Sequence, residues 1–317
     1  MAEYDTKPNR CNRAIGFVVL TVMRLQRRNF RLEALGWVLT SLLLGSAPHV
    51  AAREQQDASV TPTTGQMVSV GDHRLHVVVQ GQGDVTVLFE AGGGADSTSW
   101  GTVPELLKLR GDVRVVTYDR AGLGKSDVGD LDLTPEDEIY HVRRVLEATG
   151  SPSPTLVVGH SWGGVLALRY AARFHDSTVG LVLVDPMNPI FVDAVGIDFL
   201  QQTVPEIEDP KSPREHVLHR MKRDASALIR ATGEQLPKLQ MPMTIISAGL
   251  AWWGSPEIDG AWRSSHERMA SMADERRLVI AESSGHGIPQ TQPEIIVGAI
   301  EDLLAVIRGS AAKSETP

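Results

Sequence analysis

Gly159-His160-Ser161-Trp162-Gly163 sits between two apolar runs, Thr155-Leu156-Val157-Val158 before it and Val165-Leu166-Ala167-Leu168 after it. The pattern reads as strand, sharp turn and helix, with a serine at the apex. A serine hydroxyl is a weak nucleophile unless it is exposed, held still and given a base. The turn supplies the first two conditions. It drives the serine into strained backbone, and its glycines let neighbouring chain pass close by. It also sets Ser161 at a helix N-terminus, where free N–H groups favour a developing negative charge. The chemistry implied is attack on a carbonyl carbon followed by acyl transfer; the bland alternative is an ordinary β–α turn.

Such a serine needs a base, and His286 is the best placed of the ten histidines. It follows the last apolar run, Leu278-Val279-Ile280, in the glycine-rich segment Ser284-Gly285-His286-Gly287-Ile288-Pro289. His266, inside a predicted helix, is the second choice. His160 is expected to pack against neighbouring strands, and His73 and His76 to face solvent on an N-terminal hairpin.

The elements that must position these groups alternate along the chain. Met67–Val70 and Leu75–Gln80 flank Gly71-Asp72, a hairpin signal. Short, continuous apolar runs follow at Val85–Phe89, Val113–Thr117, Leu156–Gly159, Leu181–Val184, Met243–Ile246 and Leu278–Ile280. Continuous rather than alternating patterning means burial on both faces, as in a parallel sheet covered by helices. Thr134-Pro135-Glu136-Asp137 resembles a capping box opening a helix to Ala148. Helices are also expected over Val165–Phe174 and from Pro293 to Arg308. The alternation predicts an α/β fold with a mostly parallel, doubly wound sheet. Residues 187–240 break the rhythm with a helix-rich, proline-punctuated excursion after the sixth core strand. It is expected to form a helical cap over the sheet's C-terminal edge, where open sheets bind ligands. The core then comprises residues 67–186 and 241–308, and 309–317 is expected to be a flexible tail.

The front end differs from this body. Residues 1–52 carry seven Lys/Arg against three acids, then the apolar run Ala34–Leu44, then Val50-Ala51-Ala52. A basic stretch, a short apolar core and small residues at −3 and −1 are the parts of a secretory signal. Cleavage is expected after Ala52, with 53–66 a polar spacer and the product secreted or periplasmic. An uncleaved membrane anchor is the other reading, although the run is shorter than the ~20 residues of a comfortable span. Met23-Arg24-Leu25-Gln26-Arg27-Arg28 is a second natural start, which leaves residues 1–22 open as an upstream extension. Cleavage removes the only cysteine, Cys11, and takes the net charge from −8 to −12. So acidic a body argues against nucleic acid as a partner and leaves a small-molecule substrate. No metal-ligand spacing stands out, and the glycine-rich loop lacks the context of a phosphate or dinucleotide site, so neither metal nor cofactor is expected.

Taken together, Phe89-Glu90-Ala91-Gly92-Gly93-Gly94, Tyr118-Asp119-Arg120-Ala121-Gly122-Leu123-Gly124-Lys125-Ser126, Gly159–Gly164 and Ser284–Pro289 resemble, in order, the motifs of the α/β-hydrolase fold family. The likeness covers roughly residues 67–308. It implies a Ser161 nucleophile, a His286 base and an acid that fixes the imidazole tautomer. Family members usually carry that acid after the strand read here as Met243–Ile246, but Ser247–Trp253 contains none. The family alternative, after the preceding strand, falls on Asp185; Asp259 is the other choice. The oxyanion donors would be the N–H of Trp162 and that of Gly93, with Gly92 the alternative. Where the family usually has His-Gly, this chain has Glu90-Ala91-Gly92. Asp119 and Arg120 are read as structural. Trp100, Trp252, Trp253 and Trp262 either line an apolar acyl or alcohol pocket or pack in the core. The expectation is an exported serine hydrolase cleaving a small or medium apolar ester or lactone through an acyl-enzyme. Alternatives on the same fold are amidases or aminopeptidases, C–C hydrolases, perhydrolases and a non-catalytic binding protein. Dehalogenases and epoxide hydrolases are disfavoured, because they use aspartate where this chain has Ser161.

Overall fold

The computed structural model describes residues 65–151 and 154–314. The expected signal segment 1–52, and the spacer up to residue 64, lie outside the described residues. Eight strands form a sheet in the order β1-β2-β4-β3-β5-β6-β7-β8. They are β1 (Gln66–Ser69), β2 (Arg74–Gly81), β3 (Val85–Glu90), β4 (Val113–Tyr118), β5 (Thr155–His160), β6 (Thr178–Val184), β7 (Met243–Ala248) and β8 (Arg276–Ala281). β1–β2 and β2–β4 pair antiparallel; the other five pairings are parallel.

The apolar strands are continuous because consecutive side chains enter different cores. Val85, Val87 and Phe89 of β3, with Leu156 and Val158 of β5 and Val182 and Val184 of β6, pack on one face. Leu88, Val157, Leu181 and Leu183 pack on the other. Helices α1 (Val103–Lys108) and α8 (Pro293–Ser314) supply cover to the first core, α2 (Pro135–Ala148) and α3 (Trp162–Arg173) to the second. Both halves of the capping box predicted at α2 form: Asp137 N–H donates to Thr134 Oγ1 at 3.3 Å, and Thr134 N–H to Asp137 Oδ2 at 2.9 Å.

After β6 the chain leaves the sheet through α4 (Pro189–Val195), α5 (Ile197–Thr203) and α6 (Pro213–Gln235), then returns at β7; α7 (Pro256–Ala270) follows β7. The 187–240 excursion is therefore helical and inserted after the sixth strand. A third apolar cluster joins Phe191, Leu200, Ala225, Leu228 and Ile229 of this excursion to Trp162, Leu166 and Trp262.

Three local readings need correction. The helix after the serine begins at Trp162 rather than Val165, with Gly163 and Gly164 in its first turn. The last helix runs to Ser314, into the span expected to be a tail, since Ala311-Ala312-Lys313 are strong helix formers and no proline stops it. His73 and His76 do not face solvent. His73 is buried edge-on against His141, and His76 Nδ1 lies 3.0 Å from Asp119 Oδ2.

Candidate active site

Parallel register brings the C-terminal ends of β3, β5 and β6 into line, pairing Glu90 with Gly159 and His160 with Val184. Ser161 therefore leaves the sheet between the loop after β3 and Asp185, which follows β6. Its backbone has φ 54° and ψ −121°, a left-handed conformation that a side chain rarely adopts. The turn is held on three sides: Ser161 N–H donates to Val184 O, and Ser161 O accepts from Gly164 N–H and Met187 N–H. The flanking glycines are required by space. A Cβ on Gly163 would lie 2.3 Å from Glu90 O and 2.4 Å from Ala91 O, and one on Gly159 2.5 Å from Gly163 O.

Ser161 Oγ lies 2.9 Å from His286 Nε2, and His286 Nδ1 lies 2.7 Å from Asp185 Oδ2. Burial by itself would raise the Asp185 carboxyl. The hydrogen bond and charge of His286, with His266 and the Ala248 N–H, override it and hold the group at about 2. An ionised carboxylate only accepts, so His286 Nδ1 carries the proton and Nε2 is left as an acceptor for the serine hydroxyl. Asp185 is fully buried, while the imidazole is 27% exposed. The carboxylate is thus shielded and the imidazole reachable.

Asp259, the alternative acid, is used elsewhere: its Oδ1 accepts from the N–H groups of Trp252 and Trp253 at 2.9 and 3.0 Å. The second-choice base, His266, supports the acid instead. Its Nε2 donates to Pro186 O at 2.9 Å and its Nδ1 accepts from Ser247 Oγ at 2.8 Å, while burial lowers its pKa and keeps it neutral. His160, expected to pack against neighbouring strands, lies instead against the rings of Trp100 and His286 and donates from Nε2 to His286 O at 2.9 Å; burial drives its pKa down to about 3.

Trp162 N–H is the first of α3, one of the amides a helix N-terminus leaves unpaired within the helix. Across from it runs the loop after β3. The missing Cβ of Gly92 faces Ser161 Cβ at 3.5 Å, and that of Gly93 faces Trp162 Cβ at 3.4 Å and Met221 Cε of α6 at 2.5 Å. Arg120 grips this loop from behind, donating to Ala91 O at 2.6 Å and Gly92 O at 2.5 Å. In a trans peptide the C=O and N–H point opposite ways. Anchoring these two carbonyls therefore aims the N–H groups of Gly92 and Gly93 away from the guanidinium. Arg120 is itself paired with buried Glu90 at 2.5 Å, and Glu90 accepts a further bond from Tyr118. The one visible hint of this cluster was a carboxylate closing an otherwise apolar strand. Asp119 collects the N–H groups of Ser97 and Lys125 at 2.9 and 3.0 Å, a structural task.

Of the tryptophans, Trp100 is core, 1% exposed. Trp262 Nε1 donates to Asp185 Oδ1 at 2.8 Å, alongside Ala248 N–H at 3.0 Å. Nothing in the sequence marked that bond. Trp252 lies parallel to the His286 ring, at 4.0 Å between centroids.

Comparison with known proteins identifies the family. The model of the alpha/beta hydrolase family matches residues 87–299. An uncharacterised protein, YqjL, of Bacillus subtilis is 27% identical over 229 residues, spanning 71% of this chain and 85% of that protein. Among solved structures, a haloalkane dehalogenase DbeA loop variant from Bradyrhizobium elkanii aligns with TM-score 0.62 and 17% identity, over 80% of this chain and 99% of that one. A thermophilic esterase from Thermogutta terrifontis aligns with TM-score 0.60 and 20% identity, over 77% and 99%. At these identities the structural likeness is one of fold.

Proposed function

The chain belongs to the alpha/beta hydrolase family, and from that premise we propose that this hydrolase cleaves small or medium, largely apolar carboxylic esters or lactones through an acyl-serine intermediate. The observation that carries the reading is the unbroken chain from Ser161 Oγ through both nitrogens of His286 to Asp185, at 2.9 and 2.7 Å.

In the proposed cycle, Ser161 Oγ attacks the carbonyl carbon as His286 Nε2 takes its proton. The oxyanion is met by the N–H groups of Trp162 and Gly93, donors worth about 3–4 kcal/mol each in comparable sites. The imidazolium then protonates the leaving alkoxide. Water, deprotonated by the same nitrogen, releases the acid and restores the serine. The apolar preference is supported by side chains that the cap and the β7–α7 loop bring to the site: Met221 against Gly93, Trp252 against His286, and Trp253 stacked on Trp252. Export through cleavage after Ala52 is part of the proposal, supported by the basic and apolar segments of residues 1–52.

The test is a fluorophosphonate label combined with a screen of p-nitrophenyl esters, lactones and aminoacyl amides. The label is expected on Ser161, with ester turnover abolished in Ser161→Ala and its thermal unfolding retained. Turnover that survives in Ser161→Ala, or a protein that takes no label, overturns the reading; amide turnover exceeding ester turnover moves the substrate class.

A further inference from the structure

We propose that Trp252 is a positioning residue for the base: its indole face stabilises the imidazolium that His286 becomes during turnover. This rests on the acyl-serine reading above. The loop after β7 carries no acid, and Asp185 serves from the neighbouring strand. The space beside His286 is filled instead by an aromatic ring. The Trp252 and His286 rings stand 4.0 Å apart and 18° from parallel, close enough to exclude water from that face. Trp252 stacks in turn on Trp253 (4.3 Å, 29°), and Trp253 on Phe191 (5.6 Å, 27°).

The indole cannot easily swing away. Asp259 Oδ1 accepts from the backbone N–H of both Trp252 and Trp253, fixing the loop that presents them. This gives the loop's nearby acid a purpose distinct from the triad. The second ring near the base is His160, with centroids 4.7 Å apart and planes 37° from parallel. Burial keeps His160 neutral, with a pKa of about 3, so it brings no competing charge. The Trp262 ring stands edge-on at 6.1 Å, and the remaining titratable groups around the imidazole are Asp185 and neutral, buried His266.

A cation over an aromatic face is attracted by the ring's quadrupole, most strongly by indole and more strongly when partly desolvated. Neutral imidazole gains little of this. The stack is therefore worth more in the transition state than in the ground state, and interactions of that kind raise kcat rather than lower KM.

The experiment compares Trp252→Leu, which removes the ring, with Trp252→Phe, which keeps a face of weaker quadrupole. Two readings are taken: kcat and KM on a p-nitrophenyl ester, and the Ki of a trifluoromethyl ketone whose serine adduct leaves His286 as imidazolium. In Trp252→Leu, kcat and ketone affinity are each expected to fall about tenfold (about 1.4 kcal/mol) while KM changes by less than about threefold. Trp252→Phe should recover about half of each loss in free energy, leaving both about threefold below the parent. A Trp252→Leu enzyme with kcat and ketone affinity within twofold of the parent overturns the proposal, as does a loss confined to KM. Should Trp252→Leu not fold, Trp252→Phe decides: a parallel drop of about threefold in kcat and ketone affinity supports the stack, and unchanged values overturn it. Ser161→Ala, assayed alongside, separates the two failures. If it stays active, the acyl-serine reading is wrong; if it is dead and the tryptophan variants are normal, only this inference falls.

Discussion

Replacing Asp185 by asparagine should disable the base without disturbing the fold, and the structure says why. The Oδ1 of Asp185 accepts two donors, Trp262 Nε1–H at 2.8 Å and Ala248 N–H at 3.0 Å. In Asp185→Asn the amide oxygen must occupy that position, because an NH2 there would face two donors. The NH2 is then forced into the Oδ2 position, 2.7 Å from His286 Nδ1. It donates to Nδ1, which must become the acceptor, and the imidazole proton moves to Nε2. That nitrogen can no longer take the proton of Ser161. A misplaced tautomer of this kind costs about 10⁴ in kcat in the serine-protease template, or about 5.5 kcal/mol. Stability should respond in a distinct pH window. The folded carboxyl, held near 2, lies below its ordinary value of 3.8, so it contributes stability that is full above that value and is lost as pH falls through about 2. The difference amounts to about 2 kcal/mol. Urea titrations of both proteins from pH 5 to pH 2 should show the wild-type advantage narrowing by that amount. A kcat loss below tenfold on a p-nitrophenyl ester, or an equal loss in Asp259→Asn, would refute the assignment of the acid and the tautomer argument with it.

Two further perturbations test the scaffold. Glu90→Gln removes the carboxylate hydrogen-bonded to the buried Arg120 charge and leaves Glu138 to offset it without a direct pair, a loss of up to about 3–5 kcal/mol. This should lower Tm by about 6–20 °C by calorimetry; the double variant Glu90→Gln/Arg120→Met should regain much of the stability but not kcat, because the Ala91 and Gly92 carbonyls lose their anchor. Gly163→Ala should unfold several degrees lower or fail to fold, since its Cβ would meet two backbone oxygens within 2.4 Å, whereas Gly298→Ala meets nothing within 4 Å and should gain up to about 1 kcal/mol in denaturant titration.

What the sequence made legible is what local rules control. Strand runs, the Thr134 capping box and the strained elbow at Ser161 are set by side-chain period, hydrogen-bond spacing and chirality over a few residues. The misread helix start shows where those rules stop. Gly163 and Gly164 are poor helix formers, yet β3 and Pro186 press so close that only glycine fits there. Asp185 stands ahead of Asp259 in the sequence only through the family resemblance, because the partner histidine lies 101 residues away and no local pattern links the two. The grip of Arg120 on the Ala91 and Gly92 carbonyls and the bond from Trp262 to Asp185 span 28 residues or more. No periodicity encodes such contacts. His73 and His76 are covered for a reason of the same kind: the hairpin that carries them packs under the Asp119 turn and α2, which its own sequence does not announce.

Among the described residues, two non-glycine residues have positive φ, Ser161 at 54° and Asp185 at 41°. Both end adjacent parallel strands, and both belong to the hydrogen-bonded chain through His286. Backbone of this kind costs about 1–3 kcal/mol per residue and persists only where the surroundings over-determine it. Here they do. Ser161 N–H is tied to Val184 O, Asp185 N–H to Ile246 O, and Ser161 O takes two more N–H groups. Relaxing either residue toward ordinary backbone would break bonds to the next strand in the sheet, which the buried apolar rows of β5, β6 and β7 hold in register. The strain is therefore maintained by the sheet rather than by the site. It turns the serine and the carboxylate out of their strands toward a histidine that neither strand carries, and it lets a rigid core fix geometry that a pair of free loops could not.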